Sequence, residues 1–221
     1  MAKQVDVAPS MLSSKSYWDS RYELELKNFE EFGDEGDIWF GKSAEKRIVG
    51  YITSNVKKLA RTLDLGCGNG SLLRRLRSCG YSQLCGIDYS PSAIELASRL
   101  SNEDQKSGDV IRFEVVDILS TSGRLFSNQY DVVLDKGTWD AISLSKDRDS
   151  RLIIYRSAVK NALACHGKFI ILSCNFTRDE LCQFFDDGSS LVFVTEIPAE
   201  HSITFGGRTG VTSTGVVFEK K

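Results

Sequence analysis

The sequence predicts an α/β protein: a parallel sheet with helices on both faces, closed by an antiparallel pair. Three observations carry this. Short apolar runs alternate with amphipathic helical runs five times from about residue 61 to residue 185. The runs are continuously apolar, as in strands buried on both faces. The last two, "LVFVTE" (191–196) and "GVVFEK" (215–220), have no helical pattern between them. They therefore pair antiparallel, because a parallel pair needs a long crossover.

The elements follow in order. Residues 1–14 read as a flexible tail, and residues 15–221 as one domain whose first segment, 15–60, caps the rest. Trp18, Tyr22, Leu26 and Phe29 recur at three- and four-residue spacing, which predicts a helix with one apolar face. "DEGDIWFG" (34–41) interrupts it with glycines and two adjacent aromatics. A second helix begins near Ser43, with Ile48, Val49, Ile52, Val56 and Leu59 facing inward. "RTLDL" is a strand, followed by a glycine loop and a helix bearing Leu72, Leu73 and Leu76. "QLCGID" is the second strand, with Ser90 as N-cap and Pro91 in the first turn of the next helix. "VIRFEVV" and "YDVVLD" are the third and fourth strands. A helix over 151–164 is closed by Gly167, and "KFIILS" is the fifth strand. Thr177 and Glu180 form a capping box. The connection 197–214, rich in Gly, Thr and Ser, is expected to be a long loop without structure of its own, a kind that is often functional.

Composition bounds the partners. The 221 residues carry a net charge of −2, with 41% hydrophobic and 26% charged residues. No basic excess points to nucleic acid or an anionic membrane. The start lacks the apolar stretch of a signal peptide, and apolar runs of about five residues are too short to cross a bilayer. Six cysteines form no C-x-x-C pair, and two histidines show no zinc-like spacing. Reduced thiols in the cytoplasm, no metal, and a monomer are expected.

The chemistry gathers at the strand ends, where open α/β sheets bind ligands. Asp64, Asp88, Asp117 and Asp135 end or follow four successive strands. Gly66, Gly68 and Gly70 form G-x-G-x-G, one residue short of the dinucleotide spacing. Asp64, just before the loop, would repel a pyrophosphate and favour a cation such as an amino group or a sulfonium. Asp88 stands where a carboxylate accepts from both ribose hydroxyls, and Asp117 where one accepts from an adenine amino group. Adenosine with an amino-acid-like cation is S-adenosylmethionine. The cofactor set is then Asp64, Gly66, Cys67, Gly68, Gly70, Asp88, Tyr89, Asp117, Ile118 and Asp135. A plain βα turn with solvated acids, a nicotinamide-dependent reductase and a catalytically silent scaffold are the competing readings.

"LDLGCGNG", "GIDYSPSAIELA" and "DKGTWDAI" together resemble the seven-strand class of S-adenosylmethionine-dependent methyltransferases. More narrowly, "DIWFG", "DKGTWDAI", "SCNFTRDEL" and "FGGRTG" resemble the lysine methyltransferases of translation elongation factor 1-alpha. The resemblance implies a Rossmann-like sheet of order 3-2-1-4-5-7-6 with strand 7 antiparallel. It also implies a protein-lysine N-methyltransferase acting on that factor in the cytoplasm. Cys67 and Trp139 depart from the Thr and Phe expected in close relatives. A methyltransferase for another protein or a small molecule is the alternative.

Such a transfer is a direct displacement that needs no metal and rests on placement and desolvation. Deprotonating a lysine of pKa ~10.4 at pH 7 costs roughly 4–5 kcal/mol, and an apolar pocket beside a sulfonium lowers that cost. Asp135 is expected to orient the cofactor amino group or the incoming amine. Trp139, with Asp140, walls the site or packs in the core. Asn175 and Phe176 follow the fifth strand, where Asn175 serves the site or caps the helix of Thr177. Trp39 and Phe40 form a lid or a hydrophobic plug. Arg208 meets substrate acids or solvent. Lys136 reads as solvated and His166 as a surface residue.

Overall fold

The computed structural model describes residues 10–103, 110–120, 130–199, 203–205, 208–210 and 213–221. Seven strands form one sheet: β1 (Thr62–Leu65), β2 (Leu84–Asp88), β3 (Arg112–Val115), β4 (Tyr130–Lys136), β5 (Leu163–Ser173), β6 (Leu191–Ile197) and, after the hairpin β7 (Ile203–Phe205) and β8 (Arg208–Gly210), β9 (Thr214–Lys220). The order is β3-β2-β1-β4-β5-β9-β6. Counted within the sheet this is the expected 3-2-1-4-5-7-6, and β9 runs antiparallel to both β5 and β6. The helices are α1 (Lys15–Phe32), α2 (Gly41–Asn55), α3 (Ser71–Ser78), α4 (Pro91–Glu103), α5 (Thr138–Ser143), α6 (Arg148–Ala162) and α7 (Arg178–Phe185).

The strands alternate between two cores, as side chains on a pleated sheet must. Leu63, Leu65, Val133, Phe169, Ile171, Val216 and Phe218 face one side with α5, α6 and α7. Val132, Leu134, Ile170, Leu172 and Val217 face the other with α2 and α3. Parallel register sets the carboxyl ends level: Leu65 lies opposite Ile87 on one side and Asp135 on the other. The strand-end carboxylates are thus brought to one edge by backbone pairing alone.

Several expectations need correction. Residues 1–9 of the tail lie outside the described residues, while Met11–Ser13 form a 3-10 turn capped by Ser10. Trp18 Nε1 donates to Leu12 O at 2.7 Å and ties that turn to α1. Leu59 is 76% exposed, because α2 stops at Asn55. Ser90 does not cap α4: its hydroxyl is buried without a partner, although Pro91 opens the helix. Gly167 is no C-cap either. Helix α6 ends at Ala162 and runs straight into β5, and a Cβ at Gly167 would sit 2.8 Å from Tyr130 O, so glycine answers a close backbone approach. The connection 197–214 carries the β7–β8 hairpin rather than no structure. The capping box of Thr177 and Glu180 is present in full.

Trp139 is 1% exposed and packs its ring against Tyr155, Phe176, Phe184 and Phe185 at centroid distances of 4.7–5.6 Å. Its Nε1 has no hydrogen-bond partner, so the side chain contributes through packing. Trp139→Ala should therefore lower the unfolding free energy by about 3–5 kcal/mol. Urea denaturation followed by circular dichroism measures it, and an unchanged midpoint would refute the core assignment.

Candidate active site

The loop from Gly66 to Gly70 leaves β1 and turns into α3. Gly66 and Gly68 take φ of +65° and +54°, the left-handed region that glycine enters without a Cβ penalty. Space decides as well. A Cβ on Gly66 would collide with the hydroxyl of Thr138, which donates across to Leu65 O at 2.7 Å. A Cβ on Gly68 would collide with the hydroxyl of Tyr22. The loop is glycine-rich because side chains of the protein itself press on it.

Asp88 locks this loop to the second crossover. One carboxylate oxygen accepts from Gly68 N at 3.1 Å and the other from Ser90 N at 2.9 Å. Above the loop lies a cavity of about 270 Å³. Its lining follows the strand order: Asp117 and Ile118 after β3, Asp88 and Tyr89 at β2, Gly66, Cys67 and Gly68 after β1, Gly137 after β4, and Cys174 with Asn175 after β5. Segment 10–40 adds Trp18, Tyr22, Trp39 and Phe40, and α5 and α6 add Asp140, Ile142 and Arg151. Asp117 is exposed and accepts from Leu119 N at 2.9 Å.

Other expected site residues are not on the lining. Asp64 is buried under the loop at 3% exposure. Gly70 packs toward Phe113 and Ala97. Asp135 is fully buried and spends its oxygens on Thr138 N at 3.0 Å, Trp139 N at 2.9 Å and the Tyr155 hydroxyl. It holds the first turn of α5 and has no face toward a ligand, which corrects its expected contact role. Trp139 belongs to the core, and Phe176 packs on it from the side. Arg208 lies in β8, where its backbone pairs with Phe205, and its side chain lies outside the description. Lys136 is not solvated: its ammonium donates to Trp39 O at 3.0 Å and lies 4.0 Å from Glu45.

The motif reading missed the contribution of α1. Trp18 and Tyr22 were legible only as a helix face, and the same face turns out to close the cavity. The 34–40 loop is pinned beside it: Asn69 Nδ2 donates to Glu35 O at 2.9 Å, Arg74 pairs with Glu35 at 2.7 Å, and Arg21 bridges Glu25 and Asp37. Phe40 is held at φ +65°, an uncommon conformation for an aromatic residue, with its ring against Gly137.

Burial dominates the electrostatics. It raises Asp64 to about 8, opposed by Lys136 and reinforced by Asp135, Glu45 and Asp88. It raises Asp135 to about 7 and Asp88 to about 6, each against the hydrogen bonds that favour the anion. These acids bind protons more tightly folded than unfolded. Their contribution to stability is full below pH about 4 and is lost as pH rises through 6 to 8. The ligand-free protein should therefore melt at a lower temperature at pH 8.5 than at pH 5.5 in equal ionic strength. Scanning calorimetry checks this, and a rise in melting temperature with pH would contradict it.

A family model described as a methyltransferase domain matches residues 56–202. EEF1A lysine methyltransferase 2 of Danio rerio is 39% identical over 220 residues, covering 99% of this chain and 91% of that protein. Protein-lysine N-methyltransferase efm4 of Schizosaccharomyces pombe is 39% identical over 229 residues, covering 95% and 94%. Among solved structures, the N-methyltransferase NodS of Bradyrhizobium japonicum with S-adenosyl-L-homocysteine superposes with a TM-score of 0.66 at 15% identity, over 92% of this chain and 98% of that one, a likeness of fold. With that coverage and identity, the chain belongs to the methyltransferase family that includes EEF1A lysine methyltransferase 2 and efm4.

Proposed function

We propose that this chain methylates a lysine of translation elongation factor 1-alpha, in the cytosol where that factor works. The observation that carries the reading is the 39% identity across 99% of the chain to a protein named for that activity. The cofactor is S-adenosylmethionine. The donor set suits it: each Asp88 oxygen holds one backbone N–H and keeps a lone pair for a ribose hydroxyl. Tyr89 and Ile118 flank the place for the adenine, with Asp117 at its polar edge. Gly66, Cys67 and Gly68 would lie along the adenosyl group, while Asp135 acts from beneath by holding the first turn of α5. Bound there, the cofactor supplies an electrophilic methyl group.

The remaining work falls to the protein. Trp39 and Phe40 exclude water from the cavity, and the strained backbone of Phe40 is consistent with a wall held in place for that purpose. Asn175, on the lining beyond β5, is placed to orient the incoming amine. The hairpin bearing Arg208 is the candidate for contacts with the substrate protein. Among the described residues no helix is long and apolar enough to cross a membrane.

Incubation with isotopically labelled cofactor and purified elongation factor 1-alpha should label one or more lysines. Cofactor binding without any label would dismiss the substrate. Asp88→Ala should weaken cofactor binding by about 1–3 kcal/mol, read by isothermal calorimetry. An unchanged affinity would show that Asp88 does not hold the ribose.

A further inference from the structure

Among the described residues, Asp140 is the lining carboxylate with a buried oxygen that no donor meets. It sits in the first turn of α5, is 5% exposed, and lines the cavity beside Asn175. Its Oδ1 is saturated: Ser173 Oγ donates at 2.8 Å, Asn175 N at 2.8 Å and Cys174 N at 3.2 Å, with Cys174 Sγ at 3.7 Å. These bonds clamp α5 to the end of β5 and fix the carboxylate plane. Its Oδ2 is buried and meets no donor. A buried oxygen left unpaired costs about 1–3 kcal/mol, and such groups in native folds call for a missing partner.

Among the described residues Asp140 makes no ion pair, and the other lining carboxylates are committed elsewhere: Asp88 to two backbone N–H groups, Asp117 to Leu119 N, and Asp37 to Arg21. The strand order puts Asp88 and Asp117 at β2 and β3 and Asp140 across β1 at the β4–β5 side, beside Asn175. Asp135 from β4, Tyr155 from α6 and Cys174 after β5 interact with Asp140, and the cations on the same lining are held by other groups: Lys15 by Asp19, Lys136 by Trp39 O with Glu45 at 4.0 Å, and Arg151 by Asp147 at 3.8 Å. Burial raises its pKa above the ordinary carboxylate range, against the hydrogen bonds from Ser173, Asn175 and Cys174.

We propose that Asp140 is the proton acceptor for the target lysine. Its free Oδ2 takes an N–H of the entering ammonium, and the proton then passes from Nζ to Oδ2. One N–H bond breaks, one O–H bond forms, and the electron pair of the broken bond stays on nitrogen as the lone pair needed for attack. An ammonium carboxylate pair becomes a neutral amine and a neutral acid, which a cavity shielded from water favours over two charges. This rests on the lysine methyltransferase reading above.

The test is Asp140→Asn, which preserves shape and can keep an acceptor toward Ser173 and Asn175 while placing an amide where Oδ2 was. At pH 7, kcat/KM for elongation factor 1-alpha should fall by about 100-fold or more, the scale of losing one buried charged partner. The cofactor Kd should stay within about threefold of wild type. The deficit should shrink as pH rises toward 10, where lysine sheds its own proton. A structural role would leave that deficit flat with pH. A variant with wild-type kcat/KM at pH 7, or with a pH-independent loss, overturns the assignment. Wild-type enzyme that labels nothing would instead defeat the parent reading. Should the variant fail to fold, the wild-type protein with S-adenosylhomocysteine is titrated with elongation factor carrying methionine for the modified lysine. Binding about tenfold weaker than that of the lysine form supports a charged acceptor, and equal binding overturns it.

Discussion

Four carboxylates at the carboxyl edge of this sheet are bound to the backbone of the segments beside them. Asp88 takes Gly68 N and Ser90 N; Asp117 takes Leu119 N; Asp135 takes Thr138 N and Trp139 N; Asp140 takes Cys174 N and Asn175 N. Parallel strands end together, and the segments leaving them expose N–H groups that the sheet cannot pair. An acid at each end supplies the acceptor. The architecture of the site depends on this repeated bond: Asp88 joins the loops after β1 and β2, Asp140 joins α5 to the segment after β5, and the Thr138 hydroxyl on Leu65 O links the two halves.

The same bonds sort the acids by chemistry. Asp135 has used its capacity on α5 and Tyr155 and sits in the core. Asp88 is nearly as buried, yet each of its oxygens retains a lone pair at the cavity wall. Asp140 stands between them, with one oxygen saturated and one bare. Acids at neighbouring strand ends therefore carry different work, decided by how many internal donors each one meets.

The segment before β1 completes the cavity. Helix α1 packs on α4, with Arg99 reaching Glu30 at 2.7 Å, and sets Tyr22 against the glycine loop. Arg47 of α2 is buried, and its guanidinium reaches Ile197 O and, at 2.7 Å, Ser213 O, the two stems of the hairpin-bearing connection. Cap, loop and hairpin stems are thereby fastened to one framework, so the cavity wall has few independent parts.

Much of the sheet was legible because strand identity lives in local pattern. The apolar runs, the Thr177–Glu180 box and the unhelical final pair are short-range signals, and the strands and their antiparallel closure follow from them. The adjacency of Asp88, Asp117 and the glycine loop was legible too, since parallel register carries strand ends to one edge. The sequence by itself also determined the family, through motifs that span nearly the whole chain. Only the tertiary structure decided which way each side chain is spent. Trp139 and Asp135 look like site residues when read along the chain, but α6 and α7 bring Tyr155, Phe184 and Phe185 around them and draw them into the core. Gly167 looks like a cap, yet Tyr130, distant in sequence, sets its role. Burial and hydrogen-bond partnership depend on contacts far apart in the chain, and no local pattern encodes them.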